Sequence, residues 1–137
     1  MAEDNEQMVS AAQMDVPSDL EYSTDHVWVR VVDDHIAQLG ITQYAANKLG
    51  ELVYVDLPSE GTHVEAGDEL GEFESSKAVE PIIAPVAGTV RFSNHEVVDD
   101  PSLIADDPYG EGWLINIELD DDEPELMQSE EYLAMIQ

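Results

Sequence analysis

Leu70-Gly71-Glu72-Phe73-Glu74-Ser75-Ser76-Lys77-Ala78-Val79-Glu80-Pro81-Ile82-Ile83-Ala84 is the stretch that decides the fold. Two short apolar-patterned runs, Leu70 to Glu74 and Val79 to Ala84, flank a small-residue centre, which is the pattern of a β-hairpin. The tip, Glu74-Ser75-Ser76-Lys77-Ala78, holds a lysine in a chain nearly devoid of them. Arg30, Lys48, Lys77 and Arg91 are the four basic residues, against thirty-two acidic ones, for a net charge of −28. The flanking ladder would fix the backbone, and small neighbours leave the Lys77 amine approachable. An ammonium kept in such a place is a chemical handle, so the first expectation is a lysine that carries something.

Outward from the hairpin, short β-patterned runs dominate. His26-Val27-Trp28-Val29-Arg30-Val31-Val32, the turn residues Asp33-Asp34 and Ile36-Ala37-Gln38-Leu39-Gly40-Ile41 predict another hairpin. Thr42 is placed to cap a short helix through Leu49, with Gly50 ending it. Leu52 to Leu57 reads as a strand stopped by Pro58, His63-Val64 as a short strand, and Thr89 to Phe92 as another. A polar loop follows, and then Asp107-Pro108-Tyr109-Gly110-Glu111-Gly112 turns the chain into a strand through Leu119. At the end, Pro124, Leu126, Tyr132, Leu133 and Ile136 predict a C-terminal helix. The expected architecture is mostly β, a sandwich or partly open barrel. Residues 1–16 are expected to be a flexible acidic tail and residues 17–137 one folded domain.

Composition removes several classes of function. With 137 residues and 43% hydrophobic residues, the chain has the material for one core. Four scattered cations cannot form the basic patch that nucleic-acid binding draws upon. No apolar stretch is long enough for a membrane span, and the absence of a secretory signal pattern makes cytoplasmic residence the expectation. Without cysteine there are no disulfides, thiolate metal sites or Cys nucleophile. A charge of −28 repels itself, and the repulsion is screened where the Debye length shrinks to about 3 Å near 1 M salt. Salt-dependent folding, as in a halophile's protein, is therefore expected.

Other chemistry is poorly supported by the sequence. His26, His35, His63 and His95 stand at no mutual ligand spacing and are read as solvated or structural, so no metal site is expected. The aspartate pairs lack the spacing of a calcium loop. Ser75 and Ser76 beside Lys77 could suggest a nucleophile pair, but that requires a sequestered lysine. Trp28 and Trp113 read as packing aromatics.

From about Val16 to Ile136 the chain resembles the H protein of the glycine cleavage system. The resemblance rests on pieces in the family's order. They are Tyr22-Ser23-Thr24-Asp25-His26-Val27-Trp28-Val29, Gly40-Ile41-Thr42, Leu49-Gly50 and Leu52 to Pro58. Glu74-Ser75-Ser76-Lys77-Ala78, Ala84-Pro85-Val86-Ala87-Gly88, Asp107 to Trp113 and Glu131-Tyr132 follow. The resemblance implies a barrel-sandwich hybrid of the lipoyl-domain type, with a short helix after the first hairpin and a C-terminal helix. It also implies lipoate joined by an amide to Lys77, with Glu74, Ser75, Ser76 and Ala78 forming the tip that a modifying enzyme recognises. The implied role is that of a carrier rather than an enzyme. Its partners would be a pyridoxal-phosphate-dependent glycine decarboxylase, a tetrahydrofolate-dependent aminomethyltransferase, dihydrolipoamide dehydrogenase, and a lipoate ligase or lipoyl transferase. It would be a monomer.

Three positions depart from the family's pattern: Val27, Ser76 and the run Val79-Glu80-Pro81. In the family, acidic residues near the lysine help hold the loaded, cationic arm, and strand alternation could turn Glu80 to the other face. Two alternatives follow. One is an H-like lipoate-binding protein carrying sulfur for a heterodisulfide-reductase-like system. The other is an acidic interaction protein with no cofactor.

Overall fold

The computed structural model describes residues 15–120 and 126–136. Nine strands and four helices are defined among them. The first hairpin is β2 (Val27–Val31) with β3 (Ile36–Ile41), preceded by the short β1 (Glu21–Tyr22). Helix α1 (Gln43–Leu49) follows, then β4 (Leu52–Asp56) and β5 (His63–Val64). The central hairpin is β6 (Glu69–Ser75) with β7 (Val79–Ile83), and β8 (Gly88–Ser93) comes next. Helices α2 (His95–Asp99) and α3 (Ser102–Asp106), strand β9 (Ile115–Leu119) and helix α4 (Ser129–Ile136) complete the chain.

The strands form two antiparallel sheets, one in the order β1-β2-β3-β9-β8-β5 and the other β4-β6-β7. Alternation along the strands aims one face of each sheet at a shared core. Val27, Val29, Leu39 and Ile117 from the larger sheet meet Val55, Phe73 and Ile82 from the smaller. This is the mostly-β, two-sheet arrangement the hairpins predicted.

Strand β2 is buried on both faces. Its outward residue Trp28 belongs to a second cluster with Leu20, Tyr22 and Tyr132. The rings of Tyr22 and Tyr132 stack with centroids 4.8 Å apart, so α4 seals the back of the first hairpin. The Trp28 indole donates to Pro108 O at 2.9 Å, which fastens the Asp107–Gly112 turn over the same cluster. Gly40, opposite Trp28 in the ladder, leaves room for the indole, because a Cβ there would stand 2.5 Å from the ring.

Two elements differ from the sequence reading. The expected polar loop after β8 contains α2 and α3. Asn94 caps α2 through Glu96 N, and each helix is five residues long, too short to display a helical period. The C-terminal helix begins at Ser129, and Leu126 lies outside it. Met127 instead pairs with Tyr22 as an extended bridge, trading hydrogen bonds of 2.8 and 2.9 Å. Pro124 and most of the acidic run before it lie outside the described residues, as do residues 1–14 of the expected tail. Asp15 and Val16, also assigned to that tail, are engaged. Asp15 O accepts from the Tyr109 hydroxyl at 2.6 Å, and Val16 packs on the aromatic cluster.

Candidate functional site

Lys77 sits where the β6–β7 hairpin reverses, and the reversal is organised by one buried hydroxyl. Ser75 Oγ accepts the N–H of Lys77 at 3.2 Å and of Ala78 at 3.1 Å, while Ser75 N donates to Ala78 O at 2.8 Å. A serine that closes a turn on its own backbone is a common device of such reversals. Ser75 therefore faces inward and shapes the tip, whereas Glu74, Ser76, Lys77 and Ala78 are exposed.

Among the described residues, the Lys77 ammonium makes no hydrogen bond or ion pair. Its stem passes over Gly50 at the end of α1. Lys48 is differently placed, with its ammonium 3.4 Å from the Tyr44 hydroxyl and 5.3 Å from the centre of that ring. The two lysines are thus chemically distinct, one held on a helix face and the other displayed on a rigid turn.

Beside the hairpin lies a cleft of about 370 Å³ between α1 and β7. Asp25, His26, Lys48, Phe73 and Glu80 are among the residues that line it. Glu80 reaches it because it pairs with Phe73, whose ring is on the core side of the sheet. Alternation thus turns Glu80 toward the cleft, resolving the orientation that the sequence left open. Pro81 is tolerated because β7 is the edge strand of its sheet. Val27, another departure from the family pattern, is 1% exposed and belongs to the main core.

His26 arrives at the cleft through an unusual backbone. Ser23 Oγ accepts from Asp25 N at 3.2 Å and Val27 N at 3.1 Å, closing a tight reversal between β1 and β2. His26, at its end, adopts φ 69, a value that non-glycine residues rarely take. The ring is half-buried, and Nδ1 lies 2.7 Å from the Tyr132 hydroxyl of α4. Burial lowers the imidazole pKa from its usual value, Lys48 adds to that, and Asp25 opposes it. Burial also raises the Tyr132 phenol, which stays protonated.

The remaining histidine and acid expectations divide. His63 and Asp120 are joined at 2.6 Å, with Glu65 at 3.6 Å from the other ring nitrogen, all three exposed. This is a surface cluster with one hydrogen bond, His63 to Asp120, and Glu65 at ion-pair distance from the other ring nitrogen. His26, expected from sequence to be solvated or structural, lies 2.7 Å from the Tyr132 hydroxyl and shares the cleft with Asp25 and Glu80. The available signals were the adjacent Asp25-His26 pair and the His-x-Trp spacing.

A small two-sheet domain that displays, on a fixed hairpin beside a cleft carrying Asp25 and Glu80, a lysine whose ammonium is unengaged among the described residues has the build of a carrier domain. The chain belongs to the glycine cleavage H-protein family: the model of the family described as "Glycine cleavage H-protein" matches residues 20–137. It is 58% identical over 137 residues to a glycine cleavage system H protein of Bifidobacterium longum, covering 99% of this chain and 98% of that one. It is 49% identical over 107 residues to a probable glycine cleavage system H protein of Haloarcula marismortui, covering 78% and 84%. Among solved structures, a glycine cleavage system H protein from Mycobacterium marinum superposes with a TM-score of 0.83 at 40% identity. That match covers 88% of this chain and 98% of that one.

Proposed function

We propose that this chain is the lipoyl carrier of a glycine cleavage system, with lipoate attached through an amide to Lys77 Nζ. It takes the aminomethyl group from a glycine decarboxylase to an aminomethyltransferase and is reoxidised by dihydrolipoamide dehydrogenase. It is a carrier subunit and catalyses none of these steps itself. The observation that carries the reading is the placement of Lys77, whose amine is unengaged among the described residues, on a turn locked by Ser75. A free amine on a rigid tip is what an acylating enzyme requires, and Glu74, Ser76 and Ala78 form the exposed surface such an enzyme would grip.

When bound, the lipoyl group supplies reversible dithiol–disulfide and group-carrying chemistry. The residues around it supply the rest. Tethering to Lys77 makes each visit to a partner a local encounter at high effective concentration. Asp25 and Glu80 offer carboxylates to a cationic cargo in the cleft, which favours an aminomethyl load over sulfur. The described helices include none long and apolar enough to cross a membrane.

Intact mass of protein made with lipoate and a lipoate ligase or lipoyl transferase tests the attachment. The lipoyl increment should map to the Lys77 peptide, with Lys48 unmodified. Lipoate on a Lys77→Arg variant would refute the assignment. Glycine–bicarbonate exchange with a glycine decarboxylase tests the cargo, and no exchange in adequate salt would return the sulfur carrier to favour.

A further inference from the structure

Buried hydroxyl hydrogens need acceptors, and along Thr42, Tyr132 and His26 only one arrangement supplies them all. Thr42 Oγ1 is fully buried, accepts from Ala45 N at 3.2 Å as the cap of α1, and lies 2.8 Å from the Tyr132 hydroxyl. That hydroxyl is 2.7 Å from His26 Nδ1. Suppose Nδ1 carried the proton: it would donate to Tyr132, and Tyr132 would donate to Thr42. The Thr42 oxygen would then accept twice, and its own hydrogen would have no acceptor among the described residues. In the opposite sense, Thr42 donates to Tyr132, Tyr132 donates to Nδ1, and neither buried hydroxyl hydrogen is stranded, while the Nε2–H faces the open cleft. An orphaned buried donor biases the populations by roughly ten-fold or more.

We infer that Thr42 and Tyr132 hold His26 as its Nε2–H tautomer, so that the cleft beside Lys77 presents a neutral N–H donor set by the C-terminal helix. His26 is then a positioning residue with a defined polarity. Its Nε2, without a partner among the described residues, recruits an acceptor atom such as an amide carbonyl. Asp25 and Glu80, on the same cleft, recruit the cationic end of the occupant. The occupant's identity rests on the carrier reading, but the tautomer does not, since it belongs to the unmodified protein. Lys77 mass mapping and the tautomer measurement can therefore fail separately.

Long-range ¹H–¹⁵N correlation spectra of unmodified, labelled protein at a pH where His26 is neutral read the tautomer directly. The expected result is a protonated Nε2 and a pyridine-type Nδ1. A protonated Nδ1 overturns the inference. Tyr132→Phe removes the donor to Nδ1 and should shift the tautomer ratio at least five-fold. It should also raise the His26 pKa, because the neutral ring loses a partner, while the other groups facing it (Asp25, Tyr44, Lys48 and Glu80) are unchanged. An unaltered ratio in a folded Tyr132→Phe protein also overturns it. Thr42→Val should release the polarity one step upstream, and Thr42→Ser should restore the wild-type spectrum. If Tyr132→Phe does not fold, the wild-type spectrum and the Thr42 pair decide.

Discussion

The Lys77 side chain lies along Gly50, such that a Cβ at Gly50 would stand 3.5 Å from Lys77 Cε and 3.7 Å from Nζ. Gly50 has φ 74 and ψ −145, a backbone state almost confined to glycine. One residue therefore both ends α1 and leaves an open path for the lysine stem.

Gly50→Ala should cost about 1–3 kcal/mol through its backbone alone. The Cβ makes only ordinary contact with Lys77, so the lysine should still be lipoylated. Denaturant unfolding at fixed salt and intact mass check the two halves of this expectation. Unchanged stability would mean that the α1 terminus relaxes into another conformation.

Ser75→Ala removes the acceptor of two backbone N–H groups at the hairpin tip. The expected loss is about 1 kcal/mol of turn order, or roughly a five-fold drop in the competent tip population. Lipoylation rate, followed by mass at limiting ligase, should fall by a similar factor. Ser76→Ala, whose residue is exposed and outside this hydrogen-bond set, should have a much smaller effect on stability.

Most strands were legible because β-branched alternation and turn residues are local signals. Thr42 and Gly50 bracketed α1, and the Ser75–Ala78 reversal followed from small residues between two apolar runs. The start of α4 was not legible, because Met127 is drawn into an extended bridge by Tyr22, far away in sequence. Nor was the cleft, whose walls come from the β1–β2 turn, α1, β6 and β7. Each wall residue has an ordinary local context, and only the sheet register turns Glu80 toward His26.

Acidification should act oppositely through two histidines. The His63 pKa is raised, first by its hydrogen bond to Asp120. Its stabilising contribution is therefore fully present below about 6.5, the unfolded value, and is lost as pH rises through the higher folded value. The His26 pKa is lowered, first by burial, so its penalty begins as pH falls below about 6.5 and is complete at the folded value. The difference in unfolding midpoint between wild type and His63→Gln should be fully open below about pH 6.5 and close as pH rises through the higher folded value. A pH-independent difference would contradict the His63–Asp120 contact.

With a net charge of −28, the unfolding midpoint should rise by several degrees between about 0.1 and 1 M KCl, as the Debye length falls from about 10 to 3 Å. Thermal scans in KCl and in matched sucrose separate screening from solvent exclusion. A midpoint insensitive to KCl would show that the acidic surface is not a burden in dilute buffer.

Pro81 has a bearing on turnover. It occupies the open edge of the β4-β6-β7 sheet, within five residues of Lys77, and proline offers no N–H to an incoming strand. A shuttle that meets several enzymes in succession must leave each as readily as it arrives. Strand-to-strand zippering along this edge would make departure slow and could join carrier to carrier. A proline there keeps association to side-chain contacts, which can be released.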